Sequence, residues 1–180
     1  MEPVAFLIQN PINLALLAKI TVQGSKEMAK SVIYTSLSNS LARGRINFET
    51  DVFRMLLVNS NYTNLAENTK RGHRTRTDVT PYETFGFNYT QSGSATVPGP
   101  GLCVATIANI DDPNRDVEIS FVITPWTGAS FVTSGGIIYK FSGGTSGVDD
   151  LVGYVDFGQL WSFSNQTCDP VVDKNLKMQT

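Results

Sequence analysis

The chain has one histidine, His73, and two cysteines, Cys103 and Cys168. A hydrolytic triad needs a nucleophile, an imidazole base and an orienting carboxylate within hydrogen-bond reach of one another. His73 stands among Lys70, Arg71, Arg74 and Arg76, and neighbouring cations make an imidazole a poorer base. No Gly-x-Ser-x-Gly elbow is present. One histidine and two cysteines at wide spacing lack the paired-ligand pattern of a zinc site. Asp111-Asp112 and Asp149-Asp150 offer oxygens to a hard cation, but without the alternating ligands of a calcium loop. Each pair falls where a turn is expected, and turns favour Asp for its local backbone hydrogen bonds. Gly143 to Gly147 has no Lys-Ser/Thr ending and so is not a phosphate loop. The expectation is a protein with no catalytic site, no metal and no cofactor.

Lys70-Arg71-Gly72-His73-Arg74-Thr75-Arg76 is the one charge run that stands out. The whole chain carries a formal net charge of −2, so any attraction for an acidic partner must come from such a local patch. No aromatic residue interleaves the cations, which weakens a single-strand nucleic-acid role. Lys70, Arg71, Arg74 and Arg76 are therefore expected to contact an acidic face of another subunit, with a solvated loop as the alternative. Trp126 and Trp161 are candidates for stacking on sugars, against packing in a core or interface. Asn61-Tyr62-Thr63, Asn88-Tyr89-Thr90 and Asn165-Gln166-Thr167 match the glycosylation pattern but follow no secretory signal.

The elements that must carry these residues are mostly strands. Asp51 to Val58 repeats with period two: Phe53, Met55 and Leu57 point one way, and Val52, Leu56 and Val58 the other. Such a strand is covered on two sides. Leu102 to Ile110, Val117 to Thr124, Ile137 to Phe141 and Leu151 to Phe157 read as further strands, ending at turns such as Asp111-Asp112-Pro113-Asn114 and Gly143 to Gly147. Thr84 to Val97 suits a strand running into a loop at Pro98 to Gly101, and Asn59 to Gly72 suits a polar loop. Ile33, Leu37 and Leu41 recur at helical spacing, with Ser31 as a cap and Arg43-Gly44 as a terminus. That spacing predicts a helix over residues 32 to 43. The fold class expected is mainly β, an antiparallel sandwich or jelly-roll-like barrel with one or two short N-terminal helices.

At 180 residues the chain suits one core, read as a single β domain over residues 29–180 with an N-terminal arm or extension over residues 1–28. Its charged content, 17%, is below the typical ~25%. Asn10-Pro11 can start a helix whose apolar residues surround most of its circumference. Phe6, Leu7, Ile8, Leu14, Leu16 and Leu17 are then candidate contacts with another subunit, a neighbouring part of the same fold being the alternative. Polar residues interrupt this stretch and Glu2 precedes it, so neither a signal peptide nor a membrane span fits. Two separate buried thiols are expected rather than a disulfide.

The stretch Gly44 to Val58, Gly-Arg-Ile-Asn-Phe-Glu-Thr-Asp-Val-Phe-Arg-Met-Leu-Leu-Val, resembles a small virion protein of tailed phages. In that group a short helix leads to a similar strand. Thr77-Asp78-Val79-Thr80, Gly136-Ile137-Ile138-Tyr139 and Leu151 to Gly158 resemble the group in the same order. The resemblance implies a virion structural protein made in the host bacterial cytoplasm, in a capsid cement or decoration role. Its implied partners are the major capsid protein or other virion subunits, as a homo-oligomer; the charge balance separately weighs against nucleic acid, and the interrupted apolar run against a membrane. A tail or neck component, or a receptor- or carbohydrate-binding module, is the alternative.

Overall fold

A strand with apolar residues at both phases belongs in the middle of a sheet, and Phe53–Val58 stands there. The computed structural model describes residues 30–89, 101–108, 116–143, 146–170 and 176–179. In chain order these hold β1 (Lys30–Ile33), α1 (Thr35–Ala42), β2 (Phe53–Val58), α2 (Ser60–Thr63), α3 (Glu67–Gly72) and α4 (Arg76–Val79). Then come β3 (Gly101–Ala108), β4 (Asp116–Ile123), β5 (Trp126–Ala129), β6 (Val132–Lys140), β7 (Leu151–Ser162), β8 (Gln166–Cys168) and β9 (Leu176–Gln179). Seven strands form one sheet in the order β1-β7-β6-β2-β3-β4-β9, and β5 pairs with β8. Every pairing is antiparallel. The protein is mainly β.

The two phases of β2 feed two separate cores. Phe53, Met55 and Leu57 join Phe121, Ile123, Trp126, Val155, Phe157 and Cys168 on one face. Phe53 stacks on Phe48 at 5.3 Å and meets Phe121 edge-on at 5.7 Å. Leu56 and Val58 join Val32, Tyr34, Tyr62, Val79, Ile137, Tyr139 and Tyr154 on the other face. Burying a tyrosine hydroxyl is costly unless it is hydrogen-bonded, and these are. Tyr34 and Tyr62 share a hydroxyl contact of 2.6 Å, and the Thr63 hydroxyl lies 3.2 Å from that of Tyr154. β4 has the expected one-sided pattern: Ile119, Phe121 and Ile123 are buried while Val122 is exposed.

β6 packs its glycines where there is no room for a side chain. A Cβ on Gly135 would lie 2.6 Å from the Tyr154 ring and 2.7 Å from the Val155 carbonyl oxygen. One on Gly136 would lie 2.6 Å from the Met55 sulfur.

Four expectations change here. Residues 30–33 are not helical but form edge strand β1, paired from Lys30 with Asp156 to Ile33 with Gly153. Pairing along β7 outweighs the local i, i+4 pattern, so the helix starts after Tyr34 rather than Ser31. Its C-terminus is as expected: Gly44 has φ +64°, its N–H bonds the Leu41 carbonyl, and the Arg45 N–H bonds the Ser40 carbonyl. This is the Schellman arrangement that favours glycine. Second, Asn59 to Gly72 is not a loop but carries α2 and α3, the first capped by the Asn59 side chain on the Asn61 N–H. Helices of four to six residues are too short to show a period. Third, the described part of Thr84 to Val97 makes isolated bridges instead of a strand. It crosses beyond the end of β3, where the Leu57 N–H donates to the Tyr89 hydroxyl and the Thr84 N–H to the Leu57 carbonyl. Fourth, Asp149-Asp150 is braced by arginines, as described below, rather than by local turn bonds alone.

The Asn10-Pro11 helix start, the arm residues Phe6, Leu7, Ile8, Leu14, Leu16 and Leu17, and the Asp111 to Asn114 turn lie outside the described residues. So do Thr90 to Pro100 and Gly144-Thr145.

Candidate assembly interface

The basic run folds into two sets of residues with opposite roles. Lys70 and Arg76 are buried, with 6% and 4% of their surface exposed, and His73 is half-buried. Arg71 and Arg74 point outward. Lys70 lies in α3, His73 at its C-terminal boundary and Arg76 at the start of α4. The expectation that all four cations face a partner is therefore corrected for Lys70 and Arg76. Arg76 turns inward to Asp149 and Tyr139, and Lys70 to the Tyr154 ring.

Arg76 Nε lies 3.3 Å from an Asp149 oxygen, and Nη1 of the same guanidinium donates to the Tyr139 hydroxyl at 3.1 Å. Burial pushes the Tyr139 hydroxyl up to about 12, even against the nearby arginine. The backbone is tied at the same place: the Arg76 N–H donates to the Asp149 carbonyl and the Leu151 N–H to the Arg74 carbonyl. Lys70 Nζ sits over the Tyr154 ring at 5.2 Å, within the range of a cation–π contact. His73 packs against Tyr62 and Tyr82 at centroid distances of 5.8 and 6.2 Å.

Asp78 locks the segment between His73 and α4. It accepts the backbone N–H groups of Arg74 and Thr75, and with Thr75 it completes a capping box. Burial works to raise the Asp78 carboxyl, but those bonds and the nearby His73 outweigh it and hold the group below its ordinary value.

Burial lowers the affinity of His73 for a proton, against the pull of Asp78. A group whose folded value is depressed contributes full stability above its unfolded value and loses it as pH falls through that value towards the folded one. Stability should therefore decline as pH drops below 6.5, the ordinary imidazole value. No other histidine in the chain titrates in that window. Urea midpoints at successive pH values check this, and His73→Gln should flatten the decline. An equal slope in both proteins would remove His73 from the account.

The outward residues line a groove of about 720 Å3 between α1 and α3. Arg43 and Arg45, placed by the Schellman turn, stand at one end of its wall, and Arg71 and Arg74 on the other. Among the described residues Asp150 is the only acidic one that lines it. Its carboxylate lies 3.8 Å from Arg45, and Arg71 lies 3.6 Å from Glu67. Both arginines keep half or more of their side-chain surface exposed, so these pairs are loose and worth only about 0–1 kcal/mol each. Among the described residues Arg43 and Arg74 have no carboxylate within ion-pair distance. The sequence signalled half of this site through its basic run. Arg43 and Arg45 escaped notice because only folding brings them beside it.

Cys168 is a free, buried thiol that burial pushes up to about 12, so it is a weak nucleophile at neutral pH. Cys103 pairs through its backbone with Phe53 and Ile123. Trp126 is only 3% exposed, which removes it from any sugar-stacking role. Trp161 stacks on Phe157 at 4.2 Å beside a recess of about 370 Å3. Phe85 and Phe87 are 76% and 67% exposed, because Gly86 between them is pressed against the Ser130 carbonyl and Phe131.

Among the described residues no helix is long and apolar enough to cross a membrane. Comparison with protein-family models, with curated proteins and with solved structures finds no match to this chain.

Proposed function

We propose that the protein is a structural virion subunit that binds and reinforces a tailed-phage capsid lattice as a cement or decoration protein. The observation that carries this is the rigid display of Arg71 and Arg74. Buried Lys70 and Arg76 fasten the segment to the sheet, half-buried His73 packs on Tyr62 and Tyr82, and two arginines face outward beside Arg43 and Arg45. A subunit that holds a lattice together gains from a preformed, immobile contact, since ordering costs are met on folding rather than on binding. The groups that sequence offered for chemistry serve instead as braces: His73 between tyrosines, Asp149 on Arg76, and Cys168 in the core.

The partner on this reading is an acidic face of the major capsid protein or another virion subunit, with the protein itself acting as an oligomer. The core shared by β2, β4, β5 and β7 supports a sandwich or jelly-roll-like closure. A tail or neck position would use the same contact. A carbohydrate-binding role draws on Trp161 and Asp169 beside their recess, although Phe157 already covers one face of that indole.

The test is reconstitution on particles. Arg71→Glu with Arg74→Glu should abolish salt-sensitive binding while leaving the melting temperature unchanged, since both side chains are exposed. Binding by the folded double variant that equals wild type would overturn the proposal.

A further inference from the structure

We infer that the arginine-lined groove receives an extended, acidic peptide segment. This rests on the groove being the assembly contact and goes further by naming the form of its ligand. Among the described residues four arginines lie on the two walls against one carboxylate, in a chain whose formal charge is negative. The groove thus concentrates positive charge that the rest of the molecule does not share, and an anionic ligand follows.

The size and lining choose among anions. A space of about 720 Å3 exceeds a single tetrahedral oxyanion and suits a short run of residues. The cations are all arginine, and a guanidinium fork matches a carboxylate through two parallel hydrogen bonds. They are spread over both walls, so one small ion cannot reach them all, whereas successive acidic side chains of one segment can. Between them stand Asn39 and Asn68, which offer both donors and acceptors to the amides of an extended backbone. Among the described residues no aromatic side chain lines the groove. Binding of single-stranded nucleic acid draws heavily on bases stacking over aromatics, so a peptide fits this lining better than a nucleic acid does.

The groove is also ready-made. Its α1 wall ends in the Schellman turn, and its opposite wall is pinned by Asp78 and by the Arg76–Asp149 pair. A flexible acidic segment then supplies the adaptable partner.

Fluorescence anisotropy on the full chain tests this, using a labelled ten-residue peptide of alternating Glu and Ser. Binding is expected at low salt and should weaken as salt rises. Arg43→Gln with Arg74→Gln should weaken it by about tenfold or more, equivalent to roughly 1.4 kcal/mol, without shifting the melting temperature. A Gln-Ser peptide of equal length should not bind. Two results would overturn the inference: no binding of the acidic peptide at low salt, or tighter binding of a thymidine decamer that the double variant loses. Failure on particles is separable from failure here. A protein that binds the peptide through the groove yet never joins a particle retains this inference and loses the capsid reading. Groove-dependent binding to particles without binding to the acidic peptide does the reverse.

Discussion

Replacing Arg76 by Ala is expected to cost about 3–5 kcal/mol of folding stability, the usual penalty for breaking a buried ion pair from one side. The Asp149 side chain is fully buried and that of Arg76 is 5% exposed. Without the guanidinium, Asp149 would keep the Ser142 N–H at 2.8 Å, and Tyr139 would lose its donor. A chain of this length should melt lower by roughly 6–20 °C. The sign of the effect is diagnostic. In Arg76→Ala the lone buried carboxylate is the burden. Arg76→Met combined with Asp149→Leu should recover most of the loss at neutral pH, because a matched apolar pair removes both desolvation costs. Calorimetry of the two variants beside wild type decides. A melting temperature for Arg76→Ala within about 2 °C of wild type would mean that the pair adds nothing to the fold.

The second large effect is expected at Phe53. Its side chain is 1% exposed and lies between Phe48 and Phe121. Phe53→Ala removes a ring from a site that neighbouring rings cannot collapse to fill, and about 3–5 kcal/mol is the usual cost. Phe85→Ala makes the contrast. That ring is 76% exposed, and a surface change of this kind falls within about 0.5 kcal/mol. Urea midpoints measured in parallel give both values. Equal losses at the two positions would show that exposure in the fold does not govern their contributions.

Phe53 and Phe85 also show what could be read in the sequence. The period-two pattern around Phe53 revealed a two-sided strand, since alternation is a local property of the chain. Nothing local distinguishes Phe85, whose exposure is decided by Gly86 meeting Ser130 and Phe131. Ile33 failed in the opposite direction: its helical spacing with Leu37 was real, yet a distant strand claimed it. The candidate site divides the same way. The basic run was visible as composition, but its split into inward and outward residues depends on Asp149, Tyr139 and Tyr154, which follow more than sixty residues later. Arg43 and Arg45 join Arg71 and Arg74 only because α1 and α3 are neighbours in space.

The glycines of β6 have a consequence for how the chain avoids misfolding. In a sheet with one greasy and one wet face, sliding a strand by one residue exposes its apolar side chains, so water itself rejects the error. Here both faces of β2 are apolar, and a slipped β2 would bury nearly as much oil as the native one. Polarity therefore carries little information about alignment. The missing side chains carry it instead: Gly135 admits the Tyr154 ring and Gly136 the Met55 sulfur, while a shift of one residue drives Ile137 or Ser134 into those spaces. The central strands are keyed by shape, like teeth in a gear, and two of the smallest residues in the sheet tell the right mesh from the wrong one.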